Sequence, residues 1–203
     1  MLLYRLIHPD WEDDWSITLL KSDPEKYFDI ENKYIYALIT LIEFSDYEAL
    51  NVRGLINYEF MEYELLHDDV IEPVNTELKE WYIQHSKECM SKFPDKYPDS
   101  MRQLHRSIVD GMNLYIKHIE YAFRLMLRGH IGFMLHSEFE YVIDEATEYF
   151  YIMCKKPIDN SLIKHLNEKG MIFEVCDEYE YNDVYPLIEE HYEEGQVHFL
   201  TKP

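Results

Sequence analysis

Glycine is scarce in this chain, with six residues in 203, each standing alone. A phosphate-cradling loop needs clustered glycines so that the backbone can close on its ligand. Neither G-x-G-x-x-G nor G-x-x-x-x-G-K-[ST] occurs, which argues against a Rossmann or P-loop nucleotide site. Cysteine is scarce too. Cys89, Cys154 and Cys176 are odd in number, form no C-x-x-C pair and lie in apolar surroundings. Reduced core thiols in a cytoplasmic protein are expected. No apolar run approaches the roughly 18 residues of a membrane-spanning helix, and the start, MLLYRLIHPDW, is too short in its apolar run for a secretory signal. The G-x-S-x-G elbow and H-E-x-x-H are also missing.

Basic residues are the largest deficit. Nineteen Lys and Arg stand against 40 Asp and Glu, for a net charge of −21. A field of that sign repels nucleic acid and anionic lipid and attracts basic proteins. Solubility alone asks for a net charge of magnitude about 2–8 in a small domain. Tyrosine is abundant, with 18 residues. It gives stiff contact area with a polar tip and is enriched at protein interfaces.

The stretch from Ser100 to Arg128 is the most strongly patterned. Met101, Leu104, Ile108, Met112, Tyr115, Ile119, Ala122 and Met126 recur in steps of three and four, which predicts one long helix. A polar stripe on it holds Arg102, Arg106, Arg124 and Arg128, four of the six arginines in the chain. Like-charge pairs four residues apart cost a few tenths of a kcal/mol each, so the stripe is expected to meet either an external anion or internal carboxylates such as Asp144, Glu145 and Glu148. Gly129 to Gly132 breaks the pattern. Ser137-Glu-Phe-Glu140 reads as a capping box, S-x-x-E, and predicts a second helix to about residue 156. The two helices would form a central hairpin over 100–155.

Around it, Leu2–Ile7 and Ser16–Leu20 read as short strands, and Asp23-Pro24 starts a helix to about Phe44. Residues 47–69 read as helix with a weak spot at Asn51–Gly54. Asn75 or Thr76 starts another, ending before Phe93-Pro94. Asp159 caps a short helix ending at Gly170, followed by a strand at 171–176, a helix from 182 to 195 and a last strand at 197–200. The expected architecture is therefore mainly α with a small mixed β-sheet (α+β). It forms a single domain over 1–203, with a helical core at about 23–156 and a C-terminal β-α-β element at about 158–203.

Metal chemistry is poorly supported. Glu64-Leu-Leu-His67 is E-x-x-H, the helical spacing of di-iron bundles, but no second copy exists. No catalytic residue, metal or cofactor is expected. The clearest surface signal is EVCDEYEYNDVYPLIEEHYEE at 174–194, with nine acids, four tyrosines and no Lys or Arg. Carboxylates bond Arg and Lys, and tyrosine faces stack on guanidinium. Asp177, Glu178, Tyr179, Glu180, Tyr181, Asp183, Glu189, Glu190 and Glu193 are thus the candidate partner-binding residues. The expectation is a cytoplasmic protein that neutralises a basic partner, an immunity protein or inhibitor of a toxin or nuclease, with no direct nucleic-acid or membrane contact. The alternatives are a phage-type DNA mimic and a metal-dependent helical-bundle enzyme.

Overall fold

The protein is described from a computed structural model that covers residues 2–10, 15–45, 47–57, 59, 63–66, 70–73, 75–137, 141–146 and 149–176. The chain opens with strand β1 (Leu2–Ile7), then helices α1 (Trp15–Ser22) and α2 (Pro24–Phe44). The α2 start matches its sequence signature: Asp23 accepts from the Lys26 backbone N–H, and Pro24 fills the first turn, where no donor is needed. Strand β2 (Ala49–Asn57) follows, then the ribbon β3 (Tyr63–Leu66) and β4 (Val70–Pro73). Helix α3 (Thr76–Lys92), a single 3₁₀ turn at Pro94–Lys96, helix α4 (Asp99–Ser107), strand β5 (Asn113–Tyr115) and helix α5 (Ile116–Leu127) come next. Strands β6 (Ile131–Ser137), β7 (Tyr141–Ala146) and β8 (Tyr149–Cys154) form a meander, and helix α6 (Asn160–Glu168) and strand β9 (Ile172–Val175) complete the described elements.

Seven strands make one sheet in the order β5-β2-β6-β7-β8-β1-β9, and every pairing is antiparallel. Strand alternation turns Tyr4, Leu6, Phe133, Leu135, Ile143, Phe150, Ile152 and Phe173 into one core with the helices. Phe123 of α5 packs on Phe133 and edge-on to Phe150, and Tyr34 of α2 meets Phe150. The sheet's other face is buried as well, at Leu3, Met134, Tyr151 and Met153.

The mixed α+β class holds, but the sheet is neither small nor mixed, and the helical hairpin over 100–155 is replaced. Its first arm is two helices. Gly111 takes φ +80°, and β2 enters the gap: the Gly111 N–H donates to the Val52 carbonyl and the Val52 N–H to that of Met112. The Asp110-Gly111 turn and the β-branched Ile108 and Val109 had signalled this break. The second arm is the β6–β8 meander. Val142, Ile143, Phe150, Tyr151 and Ile152 are β-branched or aromatic and fit a pleated surface, which outweighs the S-x-x-E cap.

Two shorter readings are also corrected. Residues 49–57 are strand, not helix: Leu50 and Val52 are buried between half-buried Asn51 and Arg53, a period of two, and Gly54 at φ +59° sits in a register shift against β6. Residues 16–20 belong to α1, whose Leu19 and Leu20 pack on α2, not to a strand. The predicted helix at 182–195 and the strand at 197–200 lie outside the described residues.

Candidate functional site

The polar residues that the fold concentrates lie inside it, around the turn that ends α5. Gly129, at φ +70°, is the residue past the helix end, where a left-handed conformation is needed. This turn sends both of its neighbours inward: Arg128 is 1% exposed and His130 2%. The Arg128 guanidinium donates to both oxygens of Glu31, at 2.7 and 2.8 Å, and to the Lys96 carbonyl at 2.7 Å. It lies 4.5 Å from the Tyr97 ring centroid and 5.4 Å from that of Phe28. Arg124, one turn earlier, donates to Glu31, Asn32 and Glu120. Burial works against the Arg128 charge, but Glu31 more than offsets this and holds the guanidinium protonated.

A column of rings continues from this pair. Trp81 stacks on His85 at 5.4 Å, His85 on His130 at 5.8 Å, and His105 lies 5.6 Å from His130. His85 Nε2 donates to the Arg128 carbonyl at 3.0 Å, which fixes its tautomer, because a carbonyl can only accept. Its Nδ1 then faces the Cys89 thiol at 3.6 Å. The Tyr97 hydroxyl and His130 Nε2 share a hydrogen bond of 2.9 Å, and His130 Nδ1 has no partner among the described residues. Burial lowers the proton affinity of all three imidazoles. His130 is pushed furthest, with His105, His85 and Arg128 adding to the effect. Burial likewise raises the Tyr97 and Cys89 values, so both groups stay neutral. A cleft of about 160 Å³ opens between α1 and α3, lined by Leu20, Lys21, Glu88, Cys89, Lys92 and Phe93.

The arginine stripe is therefore not a single exposed row. Arg124 and Arg128 pair with Glu31; of the carboxylates named from sequence, Glu148 lies outside the described residues. Arg102 donates to the Tyr97 carbonyl, and Arg106 is exposed on a different helix, α4. Glu64 lies on β3, so the E-x-x-H spacing does not act on a helix. Among the described residues no group of three or more His, Cys, Asp and Glu could hold a metal ion. Cys89 and Cys154 are buried and Cys176 half-buried, all as free thiols. The acidic candidates Asp177, Glu178, Tyr179, Glu180, Tyr181, Asp183, Glu189, Glu190 and Glu193 lie outside the described residues. The segment that holds them follows β9, the last strand of the sheet among the described residues, where Glu174 pairs with Arg5.

The sequence reading missed Glu31, Tyr97, His85 and His105. Glu31 had a signal: it falls three after Phe28 and four before Ile35, on the apolar stripe of α2. Tyr97 had none, since PDKYPDS reads as a linker.

Comparison with protein-family models, with curated proteins and with solved structures found no match. Among the described residues, no helix is long and apolar enough to cross a membrane.

Proposed function

We propose that this chain is a protein-binding protein that occludes a basic partner, acting as an immunity protein or inhibitor of a toxin or nuclease. One observation supports this reading above the others. Among the described residues Glu31 is the sole buried carboxylate, and it pairs with one buried arginine, Arg128, and one half-buried arginine, Arg124. Glu31 and Arg128 cancel in the interior, so the excess of 40 Asp and Glu over 19 Lys and Arg is left to the rest of the molecule, where Asp29, Glu43, Glu77, Glu80, Asp95, Asp99 and Glu168 are exposed beside lysines such as Lys21, Lys26 and Lys92. An outward excess of one sign steers encounter with the opposite sign, and association reaches about 10⁸–10⁹ M⁻¹s⁻¹ at low salt in such pairs. The acidic, tyrosine-interleaved segment 177–194 supplies the contact chemistry.

The test is capture from native lysate on the immobilised full chain, beside a Glu178→Lys, Glu180→Lys, Asp183→Lys variant. A basic protein retained at low salt by the wild type and lost on the variant is the expected result. Equal retention by both, or retention of acidic proteins alone, defeats the proposal.

A further inference from the structure

Helix α3 is attached in an unusual way. Its buried side chains, among those described, are His85, Ser86 and Cys89; Ile83 and Met90 are half-buried, and Trp81 is 42% exposed. A helix normally docks through an aliphatic stripe. This one docks through an imidazole laid in a column of rings, with one bond to the Arg128 carbonyl. The other elements around the column are anchored differently: α4 also buries Met101 and Leu104, and α5 buries Ile119, Ala122, Phe123, Leu125, Met126 and Leu127.

We propose that α3 is an acid-released lid: protonation of the His85–His130–His105 column undocks it while the sheet and α5 remain folded. The charges around the column decide this. His85 faces Lys21 from α1, the Arg128 backbone carbonyl at the α5 turn, Glu88 from its own helix and the Cys89 thiol. Glu88 is exposed, and burial and Lys21 oppose a new positive charge. His130 faces His85 from α3, His105 from α4, Arg128 beside it and the neutral Tyr97 hydroxyl. The carboxylate nearest in the interior, Glu31 of α2, is already shared by Arg124 and Arg128, beside Tyr27. Among the described residues His105 is the one of the three with a carboxylate in ion-pair range, Glu59 at 3.8 Å, with Arg106 opposing. His105 therefore takes the first proton at least cost, which sets a charge 5.6 Å from His130. Further protons are accommodated only when a ring reaches water. Moving α3 does this, because it frees His85 and uncovers His130 with the least loss of apolar contact. Undocking also opens the cleft over Cys89.

The experiment is hydrogen exchange on the full chain at neutral pH and near pH 5, corrected for intrinsic rates. Protection of the α3 amides is expected to fall about tenfold or more on acidification, while β6–β8 and α5 keep theirs. His85→Gln keeps a donor for the Arg128 carbonyl without a titrating group, and its α3 protection is expected to change less than about threefold over the same interval. PH-independent α3 protection in the wild type, opening of α5 together with α3, or an unaltered response in His85→Gln overturns the proposal. If His85→Gln does not fold, ring titration in the wild type decides. His85 and His130 must take up protons over the interval in which the α3 amides lose protection. Protonation with α3 still in place overturns the lid.

Discussion

Glu31 is the residue on which most of the interior charge rests. At 0% exposure it accepts from two guanidinium groups, so its loss leaves the buried Arg128 without its carboxylate and the half-buried Arg124 with that of Glu120 alone. Breaking a buried pair from one side costs about 3–5 kcal/mol. Glu31→Gln is expected to lower the denaturant midpoint accordingly, while Glu120→Gln at the half-exposed end of the network stays within about 0.5 kcal/mol. Similar losses in the two variants would mean that the pair is solvated. His136 gives a pH-linked expectation. Burial first, and Arg53 second, bring its pKa down to about 4, with Arg53 Nε 2.8 Å from Nε2. The unfolded chain takes up this proton near pH 6.5, so the stability it contributes is complete above that value and is lost as pH falls from there towards 4. Ring titration by NMR should place His136 well below the ordinary imidazole value, and chemical denaturation should show stability falling on acidification within that window. This residue-level chemistry was only partly legible in the sequence. A glutamate on an apolar stripe can be read from spacing, whereas its two arginines come from a helix some 90 positions on, and no local rule pairs them.

At the scale of elements, α5 is the central packing unit. Phe123 is fully buried, between the Phe133 and Phe150 rings. Phe123→Ala is expected to cost about 3–5 kcal/mol in denaturant unfolding, since the cavity faces a sheet that cannot collapse into it. An unchanged midpoint would remove α5 from the core. The helices with clear caps, α2 and α6, were legible: Asp23 and Asp159 both accept from backbone N–H groups one turn in. The strands of the meander were not. In 137–154 apolar residues occur both in adjacent pairs and three or four apart, so a helical period can be drawn through a sequence whose branched and aromatic side chains suit a sheet. The sheet pairs those strands across turns that carry no Asn-Gly or Asp-Gly marker. The break between α4 and α5 did carry such a marker, Asp110-Gly111. It was outweighed by a long apolar period that in fact runs through two helices and a strand.

At the scale of the whole molecule, the surplus of 21 negative charges is the property that most constrains behaviour. If the segment after β9 holds a basic partner, Tyr179→Ala with Tyr181→Ala should mainly speed dissociation, since affinity among mutants of one interface lies mostly in off-rates. The charge-reversal set Glu178→Lys, Glu180→Lys, Asp183→Lys should slow association and flatten its salt dependence. Surface-binding kinetics at two salt concentrations separate these, and unchanged rates in both sets would place the interface elsewhere on the acidic surface. The sheet order carries a different consequence, for the way the molecule is made. Strand β1 is not at an edge: Leu2 faces Cys154 on one side, and Tyr4 faces Val175 on the other. A ribosome delivers β1 long before either neighbour exists. Its two rows of backbone donors and acceptors must wait in water, or on a chaperone, until β8 and β9 follow. Closing so long a loop comes late and slowly in folding. Strand β1, made well before its neighbours, is thus among the last to find its place, and a pause in translation before residue 149 would leave an apolar strand exposed to neighbouring chains.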